Sequence, residues 1–230
     1  MILVAFRSIA IDGPSGAGKS TLAKMAAAHF GFVYHDTGAI YRCVGLYAYR
    51  AGVSSKDEEA VTALLPEIDI VIERAEDGAQ RMILNGEDVS SDIRLPEVSI
   101  YASDVSAMKP VREFLLETQR GFAARENVIM DGRDIGTVVL PDADVKIFLT
   151  ADPKIRAKRR YDELIARGED VTFDEVLKDM LYRDKNDSER AESPLKMAED
   201  AVLADTSNLD LEESRDLIIS IIEDAFKNEA

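Results

Sequence analysis

The sequence has few of the side chains that support redox, metal or nucleophilic chemistry. Its 230 residues include one cysteine, two histidines and no tryptophan. A lone cysteine, Cys43, excludes an intrachain disulfide framework and a zinc site built from several cysteines. His29 and His35 have no partner at metal-ligand spacing. We expect Cys43 to be a packing residue, His29 to lie on a helix surface, and neither to take part in catalysis.

Long hydrophobic runs are also absent. No run approaches the ~18 apolar residues of a transmembrane helix, and the apolar stretch within residues 1–7 is too short for a signal peptide. These observations predict a cytoplasmic protein with no membrane partner.

Positive charge is scarce. The chain has 28 Lys and Arg against 44 Asp and Glu, a formal net charge of −16. Such a balance argues against a nucleic-acid partner, which needs a broad basic surface. Any small anionic ligand must therefore be bound by a local basic cluster. With 46% hydrophobic residues, the chain can bury a core, and its length suits one domain with embedded subdomains. Without coiled-coil heptads, we expect a monomer.

Short apolar runs that end in glycine or polar turns predict a parallel sheet. Residues 8–12 form such a run, a helix over 19–30 ends at Gly31, and a second strand follows at 32–35. This β-loop-α-β order begins an α/β fold. Further strands are predicted at 127–130, 145–149 and 201–204, giving five. A C-terminal amphipathic helix begins with Asp210 and Glu213 in the spacing of a capping box.

Two segments interrupt this progression. Residues 68–73 and 81–84 flank a turn at 75–79 and predict an antiparallel hairpin, which indicates an inserted subdomain. Residues 151–190 are helical and contain six arginines. We therefore expect a three-layer P-loop fold with a core at about 1–36, 113–150 and 191–230, an insertion at about 37–112 and a helical lid at about 151–190.

Residues 13–20, Gly-Pro-Ser-Gly-Ala-Gly-Lys-Ser, match the phosphate-binding P-loop pattern G-x-x-x-x-G-K-S/T. Glycines let backbone N–H groups curl around phosphate oxygens, the following helix N-terminus adds partial positive charge, and Lys19 reaches the β- and γ-phosphates. Ser20 is the predicted Mg²⁺ contact. P-loop proteins include switches, motors, transporters and small-molecule kinases. The length excludes a motor, and no Asn-Lys-x-Asp motif marks a GTPase.

The lid arginines favour the kinase interpretation. Arg156, Arg159 and Arg160 have the i, i+3, i+4 spacing of one helix face, where like charges repel unless an anion lies between them. The alternative is a solvated face neutralised by nearby carboxylates. Beside a P-loop, such arginines could surround a transferring phosphoryl group and exclude water.

Two further segments follow predicted strands and should face the ligand crevice of an open sheet. The first is residues 36–42, which end in Arg42, and the second is residues 131–134, Asp-Gly-Arg-Asp. Asp131 has two open interpretations: an acid linked indirectly to Mg²⁺, or a structural residue.

Together these segments resemble the bacterial cytidylate kinases of the nucleoside monophosphate kinase family. The resemblance is carried by residues 12–21, 36–42 (Asp-Thr-Gly-Ala-Ile-Tyr-Arg), 131–137 (Asp-Gly-Arg-Asp-Ile-Gly-Thr) and 183–190 (Arg-Asp-Lys-Asn-Asp-Ser-Glu-Arg), with residues 193–195 and 201–206. It covers nearly the whole chain in order. Thr37 stands where the family often has Ser and keeps the hydroxyl.

The resemblance implies transfer of a phosphoryl group from ATP to CMP, with dCMP as a second acceptor and Mg²⁺ required. It identifies the insertion as the monophosphate-binding subdomain. The implied ATP-binding residues are Gly13, Pro14, Ser15, Gly16, Ala17, Gly18, Lys19, Ser20, Thr21 and Arg156. The implied acceptor-binding residues are Thr37, Tyr41, Arg42, Ser103, Arg112, Arg133, Asp134, Arg183, Asp187 and Arg190. The predicted catalytic residues are Lys19, Arg133, Arg160 and Arg190.

The implied base contacts have independent chemical support. Cytosine presents N4–H₂ as a donor, which a carboxylate such as Asp134 can accept, while Arg112 can donate to the acceptor edge. Uracil places an acceptor oxygen at position 4 and would leave Asp134 unpaired, at a cost of about 1–3 kcal/mol or more.

Two classes of alternative remain at this level. A P-loop kinase for UMP, shikimate or dephospho-coenzyme A would share the donor site, but would not need Ser103, Arg112 and Asp134 together. A non-catalytic ATP-binding regulator would not need the cations Lys19, Arg42, Arg133, Arg183 and Arg190.

Overall fold

The computed structural model describes residues 6–74 and 80–228. A five-stranded parallel sheet and a three-stranded antiparallel sheet organise them. The strands are β1 (Ser8–Asp12), β2 (Val33–Asp36), β3 (Ile70–Arg74), β4 (Gln80–Leu84), β5 (Glu87–Asp88), β6 (Val128–Gly132), β7 (Val145–Thr150) and β8 (Val202–Asp205). The α-helices are α1 (Lys19–Phe30), α2 (Thr37–Arg50), α3 (Glu58–Leu64), α4 (Pro96–Val105), α5 (Lys109–Ala123), α6 (Pro153–Ala166), α7 (Phe173–Glu189) and α8 (Leu211–Asn228). Short 3₁₀ turns lie at Leu65–Glu67 and Asp92–Arg94, and a π-helical turn lies at Ile135–Val139.

The parallel sheet has the order β2-β6-β1-β7-β8, which confirms the five predicted strands and the α/β fold. β6 extends two residues beyond its predicted end. The extension occurs because Asp131 and Gly132 remain paired with Ile11 and Asp12 of β1. This pairing carries the backbone to the point where Arg133 and Asp134 follow.

Hydrophobic side chains cover both faces of the parallel sheet. Ile9 and Ile11 of β1 pack in a cluster with α1 and α8, whereas Ala10 packs in a second cluster with Ile135 and Val139. This alternation is the period of two that a strand imposes. It produces the three predicted layers.

The helix ends agree with the sequence signals. Gly31 follows α1 with φ of 67°, the left-handed conformation that ends a helix. At the start of α8, the Asp210 N–H donates to Glu213 Oε2 at 2.9 Å and the Glu213 N–H donates to Asp210 Oδ1 at 2.8 Å. The predicted capping box is therefore confirmed.

The antiparallel hairpin is confirmed as β3 and β4, whereas its predicted turn at 75–79 lies outside the described residues. A third strand, β5, was not predicted. Asn85 and Gly86 connect it to β4 with positive φ angles of 49° and 83°. An Asn-Gly pair with two positive φ angles is the signature of a tight hairpin turn, so the signal was present in the sequence.

A third hydrophobic cluster joins α2, α4 and α5 to the antiparallel sheet. Cys43 is fully buried in it, which confirms its packing position, and burial raises the pKa of its thiol to about 12. His29 is exposed beside Glu223, whereas His35 stacks on Phe122. Of the helices in residues 6–74 and 80–228, none is long and apolar enough to cross a membrane.

Candidate active site

A cavity of about 760 Å³ opens where β1, β2 and β6 end. This is the edge at which open α/β sheets bind ligands. Most of the predicted site residues line it. They are Ser15, Gly16, Ala17, Gly18, Lys19, Ser20, Thr21, Thr37, Tyr41, Arg42, Ser103, Arg112, Asp131, Arg133, Asp134, Arg160, Arg183, Asp187 and Arg190. The predicted residues Gly13, Pro14 and Arg156 lie outside the lining set.

The P-loop turns tightly between β1 and α1. Gly13 has φ of 153°, and a Cβ there would lie 1.9 Å from the backbone oxygen of Leu149. Gly16 has φ of 71°, and its Cβ would lie 2.6 Å from Met180 Cε of α7. Gly13 is required by the close approach to the backbone of β7, whereas Gly16 is required by its left-handed conformation, since Met180 Cε is the flexible end of a side chain and can move.

Lys19 lies at the start of α1 and is 6% exposed. Its Nζ donates to the backbone oxygen of Pro14 at 2.8 Å, which folds the side chain over the loop. Burial lowers the pKa of Lys19 to about 7, and repulsion from Arg133 adds to the shift against the attraction of Asp131. A phosphate anion in the loop would restore the full charge of this ammonium group.

Asp131 sits beside the P-loop helix at the end of β6. Its Oδ2 accepts from Ser20 Oγ at 2.9 Å and its Oδ1 accepts from the Tyr34 hydroxyl at 2.7 Å. Burial raises the pKa of Asp131 to about 6, and the neighbouring Asp36 adds to this. The contact with Ser20 suits the magnesium-linked interpretation, and Tyr34 is a partner that sequence reasoning missed.

Two buried arginines near the middle of the cavity have positive charges that the surrounding groups neutralise only in part. Burial lowers the pKa of Arg42 to about 10, although its guanidinium donates to the Ile93 carbonyl at 2.9 Å and to Ser99 Oγ at 2.7 Å. Burial and repulsion from Arg42 and Arg133 lower the pKa of Arg183 to about 9. Within the part of the chain that the structure describes, its Nε is buried without a hydrogen-bond partner. These groups are suited to an anion.

The far end of the cavity is built around Asp134. Its carboxylate pairs with Arg112 through Oδ2 and with Arg190 through Oδ1, the latter at 3.4 Å. Arg112 also donates to the Ser106 carbonyl at 3.1 Å, and its guanidinium lies 5.5 Å from the centre of the Tyr41 ring. All three charged residues are less than 10% exposed. Side chains from separate parts of the chain thus hold the Asp134 carboxylate in place.

Asp12 fixes the backbone that follows Asp134. Its Oδ1 and Oδ2 accept from the N–H groups of Ile135 and Gly136, each at 2.8 Å. Burial raises the pKa of Asp12 to about 6. The residue just before the P-loop therefore ties that loop to the segment carrying Arg133 and Asp134, a role that the sequence alone did not indicate.

The three arginines predicted on α6 lie within that helix but have different partners. Arg156 is 4% exposed and donates to the carbonyls of Ser15 and Ala151, both at 2.8 Å. Asp184 of α7 pairs with it at 2.7 Å and accepts from the Ser15 N–H at 3.2 Å. The solvated-face alternative is thus wrong for Arg156, which braces the P-loop because α6 and α7 pack against it.

Arg159 and Arg160 do line the cavity. Arg159 donates to the Thr206 carbonyl at 2.8 Å, and Arg160 pairs with Glu163 at 2.8 Å. Arg94 and Arg167 are further lining residues, and sequence reasoning assigned them no role. For Arg159, the signal in the sequence is its i, i+3 spacing from Arg156 on α6.

The lining carries a local excess of positive charge. Among the described residues it includes eleven Lys and Arg side chains and six Asp and Glu side chains. The chain as a whole has a net charge of −16. The cationic cavity inside an acidic protein confirms that the basic residues are concentrated locally.

The chain is similar to known proteins over most of its length. The cytidylate kinase family model matches residues 9–224. A cytidylate kinase of Caldicellulosiruptor bescii is 47% identical over 96% of this chain and 98% of its own. The cytidylate kinase of Thermosipho melanesiensis is 48% identical over 95% of this chain and 98% of its own. The cytidylate kinase of Geobacter sp. strain M21 is 50% identical over 91% of this chain and 90% of its own.

Both the family match and the identities extend over nearly the full length of the chain. The family match, at residues 9–224, includes every segment that lines the cavity. This chain therefore belongs to the cytidylate kinase family and is a phosphotransferase.

Proposed function

We propose that this enzyme transfers the γ-phosphoryl group of ATP to CMP and dCMP, giving ADP and CDP or dCDP. The observation that carries the proposal is the joining of two sites in one cavity. The P-loop lies at one end and the buried Arg112–Asp134 pair at the other. Relatives named cytidylate kinase support CMP as the acceptor.

At the donor end, residues 13–21 would bind the ATP phosphates through backbone N–H groups and the N-terminus of α1. Lys19 would move from the Pro14 carbonyl to a phosphate oxygen. Between the two ends, Arg183 Nε has no hydrogen-bond partner among the described residues, and a nucleotide phosphate oxygen would supply the acceptor it lacks. Arg156 would act here through its contact with the Ser15 carbonyl.

Ser20 would contact Mg²⁺, and Asp131, which accepts from Ser20 Oγ, would be linked to the ion indirectly. No cluster of three or more potential ligands from His, Cys, Asp and Glu occurs in the described parts of the chain. That arrangement fits an ion that takes its remaining ligands from phosphates and water rather than from a protein cage. Bound Mg²⁺ would neutralise negative charge on the phosphates.

At the acceptor end, Asp134 would read the cytosine amino group. A carboxylate has about four acceptor positions, and Arg112 and Arg190 occupy two of them, so capacity remains for N4–H₂. Arg112 and Ser103 would face the acceptor edge of the base, and Tyr41 would support Arg112. Thr37, Arg42, Arg183 and Asp187 would contact the sugar and phosphate.

Phosphoryl transfer requires little covalent chemistry from the protein, so positioning and charge provide the catalysis. Arg133, Arg160 and Arg190 would stabilise charge on the transferring group. Residues 151–190, which carry α6 and α7, would form the lid over the core and the insertion at 37–112. Closure would exclude water and bring Arg160 and Arg183 onto the phosphates.

A coupled assay of ADP release tests the proposal. CMP, dCMP, UMP, AMP, GMP, shikimate and dephospho-coenzyme A are supplied in turn with ATP and Mg²⁺, and Lys19→Met serves as the inactive control. We expect the highest kcat/KM with CMP, dCMP close to it and UMP at least about tenfold lower. A higher kcat/KM with another acceptor would identify that compound, rather than CMP, as the substrate. An absence of turnover with all seven would favour the regulator alternative.

A further inference from the structure

Two side chains one turn apart on α7 contact neighbouring residues of α4. The Tyr182 hydroxyl donates to Asp104 Oδ1 at 3.3 Å. Asn186 Nδ2 donates to the Ser103 carbonyl at 3.2 Å and to Ser103 Oγ at 3.0 Å. Within the described residues, neither Tyr182 nor Asn186 lines the cavity. Ser103, the partner of Asn186, does line it, whereas Asp104, the partner of Tyr182, does not.

The direction of the Asn186 hydrogen bonds follows from the chemistry of Ser103. A backbone carbonyl only accepts, so the group that faces it must be the amide NH₂ of Asn186. The same NH₂ lies within 3.0 Å of Ser103 Oγ. The Ser103 hydroxyl is therefore the acceptor in this contact.

This arrangement determines what the Ser103 hydroxyl offers a ligand. With Asn186 donating to its oxygen, the single hydroxyl proton must point elsewhere. Across residues 6–74 and 80–228 that proton has no acceptor. Ser103 is 7% exposed and lines the cavity, so the proton is available to a ligand there.

A second donor near Arg112 distinguishes the two pyrimidines. Cytosine has neighbouring acceptors at N3 and O2, which can satisfy both Arg112 and a donating Ser103. Uracil carries a hydrogen on N3, so one of two adjacent donors would face another donor. Discrimination of this kind arises when a polar group of the site is left unpaired.

We infer that Asn186 is a positioning residue for base discrimination, acting by orienting the Ser103 hydroxyl as a donor toward the base. The inference rests on the proposed CMP kinase function. It also links lid closure to base recognition, because α7 supplies the group that prepares Ser103.

Steady-state kinetics of Asn186→Ala and Tyr182→Phe with CMP and UMP test the inference. Asn186→Ala should lower kcat/KM for CMP by about three- to tenfold while UMP changes less than about twofold. The expected loss lies mainly in KM for CMP. Tyr182→Phe removes the neighbouring contact between α7 and α4 without touching Ser103. It should affect CMP and UMP equally.

Two further variants separate orientation from folding. Asn186→Asp keeps the size of the side chain but draws the Ser103 proton toward its carboxylate, so it should reduce the CMP-to-UMP ratio at least as much as Asn186→Ala. In the Ser103→Ala background, Asn186→Ala should leave the ratio unchanged, because the group it orients is gone. Thermal unfolding of each variant verifies that the protein is folded.

An unchanged CMP-to-UMP ratio in both Asn186→Ala and Asn186→Asp, with wild type active on CMP, would overturn the inference alone. A Tyr182→Phe variant that alters the ratio as much as Asn186→Ala would also overturn it, because the effect would then not depend on Ser103. Wild-type protein that fails to phosphorylate CMP would instead overturn the proposed function, and the inference with it.

Discussion

The two ends of the cavity are built in different ways. The donor end is one continuous segment, residues 13–21, whose backbone is shaped by glycines and the start of α1. The acceptor end is assembled from side chains of α2, α4, α5, α7 and the segment after β6, with Asp134 held between two arginines. A phosphate site can be made from local backbone, whereas recognition of a base requires groups brought together by the whole fold.

If the ends are separable, changes at one should leave ligand binding at the other intact. The largest effect is expected at the donor end. Lys19→Met should lower kcat by about a thousandfold, because an isosteric apolar side chain cannot stabilise charge on the transferring phosphate. Calorimetric titration should give a CMP Kd within about twofold of wild type. A large loss of CMP affinity would show that the ends are not independent.

At the acceptor end, Asp134→Ala should lower kcat/KM for CMP at least about tenfold more than for UMP. The variant removes the acceptor for N4 and leaves Arg112 and Arg190 buried without their shared carboxylate. The coupled assay with both nucleotides measures the ratio, and KM for ATP serves as the control. Equal losses on CMP and UMP would contradict the proposed role.

The dependence of kcat/KM for ATP on pH tests the role of Lys19 at the donor end without a mutation. The lowered pKa of Lys19, about 7, means that its ammonium form is lost as pH rises through that value. Because the anionic phosphates favour the charged form, kcat/KM for ATP should fall about fivefold between pH 7 and 8. The profile of kcat should be flatter, since bound phosphate raises the pKa. A kcat/KM for ATP that stays constant to pH 9 would be incompatible with this account.

The smallest effect is expected at the join between α7 and the P-loop. Asp184→Asn removes the ion pair with Arg156 and weakens the contact with the Ser15 N–H. KM for ATP should rise about two- to fivefold, the scale of one hydrogen bond, and the CMP-to-UMP ratio should not change. Asn186→Ala, on the same helix, is expected to lower the CMP-to-UMP ratio and to leave KM for ATP unchanged. A change in the CMP-to-UMP ratio in Asp184→Asn would show that the contacts of α7 with the P-loop and with Ser103 are not independent.

The same contrast explains what could be predicted from the sequence. The five parallel strands and the P-loop depend on patterns within short stretches of chain, and they were confirmed to within a few residues. The turn at Asn85 and Gly86 is also local, so the sequence contains the signal for β5 as well.

Other features depend on groups far apart in the chain. Asp12 bonds to Ile135 and Gly136, and Asn186 bonds to Ser103. Helical spacing grouped Arg156 with Arg159 and Arg160. Packing of α6 and α7 against the P-loop then determined that Arg156 is buried. The family resemblance brought the acceptor residues into consideration, but their partners required the structure.

The most direct test of the account is a crystal structure with CMP bound, in which the distance from cytosine N4 to the Asp134 carboxylate is measured. We expect a hydrogen bond of about 2.7–3.2 Å, with Arg112 and Ser103 on the N3 and O2 edge of the base. A base bound with N4 directed away from Asp134, while Arg112 and Arg190 still hold that carboxylate, would contradict the central claim that Asp134 recognises cytosine.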